Sequence, residues 1–537
     1  MSDAYRRRGW WRDETFLDDL RRGARDHPDK AAVAVHRGAG DSTRVLGYAE
    51  LSRLTDRCAS ALVELGLRPG DFFAVQLTDR WELAVLALGC MRAGVRFCPL
   101  MPIYRRWQLE AMLRVSGARV FVTMAEHAGD RPAEIGLELA AGLPDLERVL
   151  VADGPALDGT RPFESFFFDT PWEESHGGEL DARELGPDDP YLLLFTSGTT
   201  SESKGVLHSQ NTLHAAIRGE AGVFGLDGSL VMTTSASYSH YTGVAQGMLM
   251  PLMLGGTMVF QDSRDPAVVL DVMARHGVTF LYIAPPALQE LMDEQRRAPR
   301  DLSALRWLVC GSSPVPPYFV DDVREVFKTR LFSLWGMTEN GPVTISRPED
   351  PDDWAAHSDG SPIADMELRI DPVSERSDGV GVLWVRGPTQ CLGYYRREGL
   401  YAAKLDAGGW FNTDDLVRPD GRGGIRVTGR ATDMILRHAN IVPVADLETI
   451  IGRHPGVREM AVVGLPEQDL DETVCVVVVP VSPESPVTLE DLHRALAGAG
   501  MAELYWPQRL EIVETLPKTP TGKTRKVELK ERFAPPG

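Results

Sequence analysis

The stretch LLLFTSGTTSESKGVLHS, residues 192–209, changes character twice within eighteen residues. An apolar run stops abruptly and six hydroxyl residues follow, Thr196, Ser197, Thr199, Thr200, Ser201 and Ser203, with Gly198 among them. Lys204 and a second glycine come next, and the chain then turns apolar again. Residues 191–195 read as a strand, and Ser209 is placed to cap a following helix. Glycines and small hydroxyl residues let a backbone come close to phosphate oxygens with N–H and O–H donors turned inward. Lys204 adds a point charge. A Walker loop needs G-x-x-x-x-G-K-[ST]; here the lysine precedes its glycine. Taken alone, the stretch reads either as a phosphate cradle or as a surface Ser/Thr loop.

The whole chain sets the frame for that choice. Its 537 residues exceed one compact core, so two or more domains are expected. A formal net charge of −20 repels nucleic acid and anionic membrane, and a polyanionic ligand would need local basic groups or a metal. The six cysteines, Cys58, Cys90, Cys98, Cys310, Cys391 and Cys475, show no zinc-ligand or redox spacing, which favours reduced thiols. The beginning of the chain, MSDAYRRRGWWRDE, lacks the apolar core of a signal peptide, and a cytoplasmic location is expected. The uncharged run 241–260 has about the length of a membrane span. Pro251 and the Gly255-Gly256 pair break it into a short helix and a strand, so no membrane span is expected.

Short apolar strands alternate with amphipathic helices for most of the length. FFAVQL (72–77) precedes WELAVLALGCMRAG, VTFLYIA (278–284) precedes PALQELMDEQ, and RWLVCG (306–311) leads to FVDDVREVF. This rhythm predicts α/β layers with largely parallel sheets. After about residue 430 it gives way to a small α+β unit: a helix in 443–454, strands in 459–465 and 473–481, a helix opened by Thr488 in a T-x-x-D box, and a last strand in 509–514. The expected division is therefore 1–430 and 431–537. The join VTGRATDM (427–434) suits a hinge.

More motifs follow in order: GSSPVP (311–316), WGMTENG (335–341), GWFNTDDL (409–416), GRATDMI (429–435) and LPKTPTGKTRK (516–526). With the opening stretch they resemble the ANL superfamily of adenylate-forming enzymes, which includes acyl- and aryl-CoA synthetases, peptide-synthetase adenylation domains and luciferases. The resemblance spans most of the chain after residue 190 and points to the acyl-CoA synthetase branch. It implies a large multi-sheet adenylation domain that binds ATP and an acid, and a small mobile α+β C-terminal domain carrying a catalytic lysine. The reaction it implies is ATP- and Mg²⁺-dependent conversion of a carboxylic acid to acyl-AMP and pyrophosphate. CoA is the default acceptor, and the setting is secondary metabolism.

Residue by residue, the resemblance gives Thr196, Ser197, Gly198, Thr199, Thr200 and Lys204 to the β- and γ-phosphates. Glu339 would hold Mg²⁺ and Thr338 the α-phosphate. Trp335 would stack on adenine opposite Gly311, Ser312 and Ser313, with Gly336 beside it in the nucleotide site. Asp415 would accept the ribose hydroxyls, with Arg430 beside it, and Lys523 would bridge carboxylate and α-phosphate during adenylation. His240, Tyr241, Gly243, Ala284 and Gly311 would border the acid. Small and flexible neighbours, Ala245, Gly247, Met248 and Met250, suggest a bulky, mostly apolar acid. The N-terminal 5–20 and PIYRRWQL (102–109) also look like synthetases for ring-bearing acids.

The chain departs from the family pattern at several points. Ser201 stands for a glycine, Ser203 for a proline, and Asp414 for the glycine before Asp415. The hinge position is Thr432, followed by Asp433, where the family has Asp or Lys. His438 and Ala439 replace the Gly-Gly of the thiol-tunnel loop, where side chains would crowd pantetheine. An adenylating enzyme that leaves thioester formation to a carrier protein or a second enzyme is therefore one alternative. A non-catalytic nucleotide-binding relative is another, and retention of Lys523, Glu339 and Asp415 argues against it.

Overall fold

A computed structural model of the chain describes residues 2–37, 42–196, 204–313, 315–373, 379–437, 440–466, 472–519 and 524–534. The alternation of short apolar strands and helices builds two large sheets. One has eight strands, with Arg96–Pro99, Phe72–Val75, Val120–Met124 and Arg148–Ala152 parallel at its centre. The other has nine, running parallel from Leu331–Met337 through Trp307–Cys310, Phe280–Ile283, Val231–Thr234 and Thr257–Gln261 to Ala31–Arg37. Strands this apolar on both faces need helices on each side. Tyr48–Glu64, Glu82–Ala93 and Gln210–Phe224 supply much of that cover, and their buried side chains share one core with residues of both sheets.

The expectation of largely parallel sheets holds for the sheet centres only. Three of the four edges of the two large sheets are antiparallel, and a third sheet of four strands, Glu367–Pro372, Gly381–Arg386, Phe411–Pro419 and Ile425–Arg430, is antiparallel throughout. The last part of the chain is a three-stranded sheet, Val457–Pro466, Glu472–Pro480 and Arg509–Ile512. Helices Val444–Gly452, Leu489–Gly498 and Lys526–Phe533 accompany it. Thr488 caps its helix as the sequence predicts, with Asp491 closing the box from the other side. The protein is thus α/β, with a large N-terminal domain and a smaller C-terminal one.

The uncharged run 241–260 folds as Gly243–Leu249, Met250–Leu254 and strand Thr257–Gln261, with Gly255 ending the helix at φ 72°. Among the described residues no helix is long and apolar enough to cross a membrane. All six cysteines are free and buried.

Candidate active site

The strand Pro190–Thr196 pairs antiparallel with Lys204–Ser209, and Thr196 sits opposite Lys204. The sequence reading recognised the first strand but not the second. GVLHS is too short for its period to announce a strand, and Ser209 does cap the helix Gln210–Phe224, accepting from Thr212 N. Ser197, Gly198, Thr199 and Thr200, which join the two strands in sequence, lie outside the described residues.

Lys204 is held by its neighbours rather than left to swing. Its ammonium lies 5.5 Å from the centre of the Tyr394 ring. Tyr394 is on the short strand Gly393–Tyr394, which pairs with Lys204–Ser209. Its hydroxyl donates to Glu339 Oε1 at 2.8 Å. One tyrosine therefore ties the phosphate-strand lysine to the acid of the WGMTENG motif. Burial and the Glu339 charge hold the Tyr394 phenol well above its ordinary range, so it stays a donor. Glu339 is only 7% exposed, and its backbone carbonyl accepts from Cys391 N at 2.7 Å.

Thr338 is half-buried, and its backbone is fixed by a residue that the motif reading passed over. His208 is fully buried, with Nε2 2.7 Å from Thr338 O and Nδ1 2.9 Å from Thr212 Oγ1. A carbonyl only accepts, so Nε2 carries the proton and the threonine hydroxyl donates to Nδ1. The only signal in the sequence was a histidine at the end of a buried strand. Burial lowers the His208 imidazole to about 4. His214, whose Nδ1 donates to Trp10 O at 2.8 Å, is lowered to about 4 as well, by burial and Arg12. The unfolded chain takes up both protons from about pH 6.5 downward, the folded protein only near 4. Stability is therefore fully present above pH 6.5 and is lost as pH falls toward 4. His208→Gln should reduce the loss of unfolding free energy between pH 7 and pH 5 by about 2 kcal/mol. Urea unfolding at the two pH values reads this, and an unchanged difference would count against a neutral buried imidazole.

Asp415 and Arg430 face each other across the strands Phe411–Pro419 and Ile425–Arg430. Arg430 Nε is 2.8 Å from Asp415 Oδ1, while Trp335 Nε1 donates to Asp415 Oδ2 at 2.9 Å. Trp335 is 9% exposed and packs with Val343, Leu383, Val385 and Phe411. The ring is mainly core, and its indole N–H orients the carboxylate. Gly336, beside it, lies where the hairpin between Leu331–Met337 and Gly341–Ile345 shifts register. Asp414 takes φ 59°, the left-handed conformation for which a glycine is the usual occupant. Its carboxylate pairs with Lys404.

On the acid side, Gly311 ends the strand Trp307–Cys310 at a close approach. A Cβ there would lie 2.6 Å from the Tyr282 hydroxyl and 2.7 Å from Leu334 O. Ser312 and Ser313 are exposed, and Ala284 is half-buried where the strand Phe280–Ile283 meets the helix Pro285–Arg297. His240 is half-buried, and its Nδ1 accepts from Thr242 N at 3.4 Å. Tyr241 is buried with its ring edge against His208, centroids 5.3 Å apart. Gly243 does not open space for a bulky acid. A Cβ on it would meet Ser237 O at 2.2 Å, and one on Gly247 would meet the Tyr238 ring at 2.7 Å. Ala245, Met248 and Met250 are buried in the core. The small residues serve close packing against Tyr238, which overturns the volume argument for bulk. Asp79, absent from every motif, holds this loop by accepting from Tyr238 N at 2.7 Å and Ser237 Oγ at 3.0 Å.

The AMP-binding enzyme family model matches residues 20–395, and the AMP-binding enzyme C-terminal domain matches 446–523. The chain belongs to the AMP-binding enzyme family. It is 29% identical to the medium-chain fatty-acid–CoA ligase of Escherichia coli K12, over 98% of this chain and 92% of that protein. It is 31% identical to a salicyl-AMP ligase / salicyl-S-ArCP synthetase of Mycobacterium tuberculosis, over 97% of this chain and 91% of the other. In fold it is similar to the anthranilate CoA ligase AuaEII in complex with anthranoyl-AMP, with a TM-score of 0.85, 23% identity and 97% of each chain covered. The resemblance to the acyl- and aryl-CoA synthetase branch holds, and with it an AMP-forming acid–thiol ligase that makes an acyl-adenylate with ATP.

In this AMP-binding enzyme the strand Ile425–Arg430 is followed by the short turn Ala431–Asp433. Thr432 is exposed and Asp433 half-buried. Arg453, from the C-terminal part, lies over the Tyr318 ring at 4.8 Å. His438 and Ala439 lie outside the described residues, as does Lys523. The neighbours of Lys523 are placed: Lys518 pairs with Glu459 at 2.6 Å, Lys526 pairs with Glu448 at 2.8 Å, and a bridge joins Lys518 to Thr524.

Proposed function

We propose that the substrate carboxylate attacks the α-phosphorus of ATP, forming an acyl–phosphate bond as the bond to the pyrophosphate oxygen breaks, and that CoA is the default acceptor of the acyl group. The observation that carries the reading is the Lys204–Tyr394–Glu339 chain. It places a cation and a buried carboxylate on two sides of one phenol. Both reactants are anions, so neutralisation and alignment must supply most of the rate. Thr196, Ser197, Gly198, Thr199, Thr200 and Lys204 are assigned to the β- and γ-phosphates, and Thr338, with its backbone pinned by His208, to the α-phosphate. Asp415 takes the ribose, oriented by Trp335 and Arg430, and Gly311 to Ser313 border the base.

The residues present fit Mg²⁺. Among the described residues no cluster of three or more metal-ligating side chains stands ready. Mg²⁺ commonly takes one or two carboxylates and completes its shell with water and substrate phosphates. Glu339 would be that carboxylate, with Tyr394 fixing one of its oxygens. The ion would neutralise phosphate charge. Lys523, on the C-terminal domain, is assigned to bridge carboxylate and α-phosphate. The domain boundary is placed at residues 430 and 431, with Thr432 and Asp433 as the hinge about which the small domain turns. ATP–pyrophosphate exchange across an acid library, with and without CoA, tests the reading; no exchange with any acid would overturn it.

A second reading rests on His438-Ala439, where the family carries glycines. In it the enzyme makes acyl-AMP and a carrier protein or partner enzyme takes the acyl group. Substituting Gly-Gly should leave pyrophosphate exchange within about twofold, since only the thiol needs a close backbone approach there. CoA-dependent turnover should change severalfold, rising if the side chains obstruct pantetheine. Equal loss of both rates would show that the segment does not separate the two half-reactions.

A further inference from the structure

Glu220 lies on the helix Gln210–Phe224 and is fully buried. Its Oε2 accepts from Gln246 Nε2 at 2.8 Å, while its Oε1 has no hydrogen-bond partner among the described residues. Gln246 sits in the wide-turned segment Gly243–Leu249, and such π-type turns recur at functional sites. Tyr241 is in the same condition: 3% exposed, with a hydroxyl that also lacks a partner among the described residues. Glu220 is close enough to help raise the phenols of both Tyr241 and Tyr282. The Ser312 and Thr242 side chains also reach the Tyr282 hydroxyl, which lies under Gly311. Tyr241 thus belongs to the wall segment 240–243, and Glu220 stands behind it through Gln246.

Buried polar atoms are nearly always paired, so two unpaired ones beside a ligand wall need an explanation. Burial pushes the Glu220 carboxyl up to about 7, as expected of an oxygen without donors. We propose that Glu220 and Tyr241 form a hydroxyl-reading floor to the acid pocket, so that the acid this enzyme activates carries a hydroxyl group remote from its carboxylate. The proposal rests on the acid wall described above. A hydroxyl is the group that fits both ends: it donates to Glu220 Oε1 and accepts from the Tyr241 O–H. A purely apolar acid would leave both unmet, and sites built around a substrate hydroxyl reject the analogue that lacks it.

The test compares kcat/KM for ATP–pyrophosphate exchange in matched pairs: octanoate with 8-hydroxyoctanoate, 3-phenylpropionate with 3-(4-hydroxyphenyl)propionate, and benzoate with 4-hydroxybenzoate. At least one pair should favour the hydroxylated acid by about 30-fold or more. Glu220→Gln and Tyr241→Phe should each bring that ratio to within about fivefold. The ratio within a pair cancels any loss of folded enzyme, and Tyr241→Phe reads it even if Glu220→Gln does not fold. Exchange without preference for any hydroxylated acid overturns the floor, as does a preference that survives both substitutions. The absence of exchange with every acid would instead overturn the adenylation reading beneath it.

Discussion

Lys523→Ala is expected to lower ATP–pyrophosphate exchange by about 10³-fold or more while ATP still binds. Removing one preorganised contact to developing charge costs on the order of 10²–10³ in rate. Here the contact also screens a carboxylate from the phosphate it attacks, so the loss should lie at or beyond the upper end. The two lysines nearest to it in sequence are already paired. Lys518 is engaged with Glu459 and Lys526 with Glu448. Exchange within about threefold of wild type would remove Lys523 from the reaction, and nucleotide titration of the same variant separates lost chemistry from lost binding.

Asp415→Ala should weaken ATP binding by about 10²–10⁴. Two charge-assisted hydrogen bonds to the ribose, each about 1.5–3 kcal/mol, would go together. The substitution would also strip Trp335 Nε1 and Arg430 of the carboxylate that holds them at 2.9 and 2.8 Å. Asp414 cannot take over, because its backbone is left-handed and its carboxylate pairs with Lys404. Asp415→Asn keeps the shape and one acceptor and should fall between the two. Titration of nucleotide by calorimetry decides the matter; an ATP affinity within threefold of wild type would place the ribose elsewhere.

The assignments for this site come from short strings of sequence, for a physical reason. Phosphate and nucleotide contacts are made by short loops whose residue types are dictated locally, by small hydroxyls, glycines and a lysine at fixed offsets. Such signals survive as strings: TSGTT with Lys204, GSS, the T-E pair, Asp415 with Arg430, and the loop with Lys523. Helix caps are equally local, and Ser209 and Thr488 cap as their sequences indicate. The alternation of apolar strands and amphipathic helices likewise carried the α/β layering.

The tertiary structure decided what depends on partners distant in sequence. Tyr394 meets Glu339 across 55 positions and His208 meets Thr338 across 130, and no local pattern encodes either meeting. The antiparallel third sheet escaped the reading because its strands are half-exposed and carry charges, which blurs the apolar rhythm. The glycines of 243–247 misled it: a missing side chain signals a close approach, and only the fold shows whether a ligand or, as here, Tyr238 makes it. The exposure of Trp335 is set by the residues of the four-stranded sheet packed on it. The sequence alone determined the class of fold and which residue types are assigned to ATP. The packing of remote segments determined which atoms hold them in place and left Glu220 and Tyr241 facing an unmet hydrogen bond.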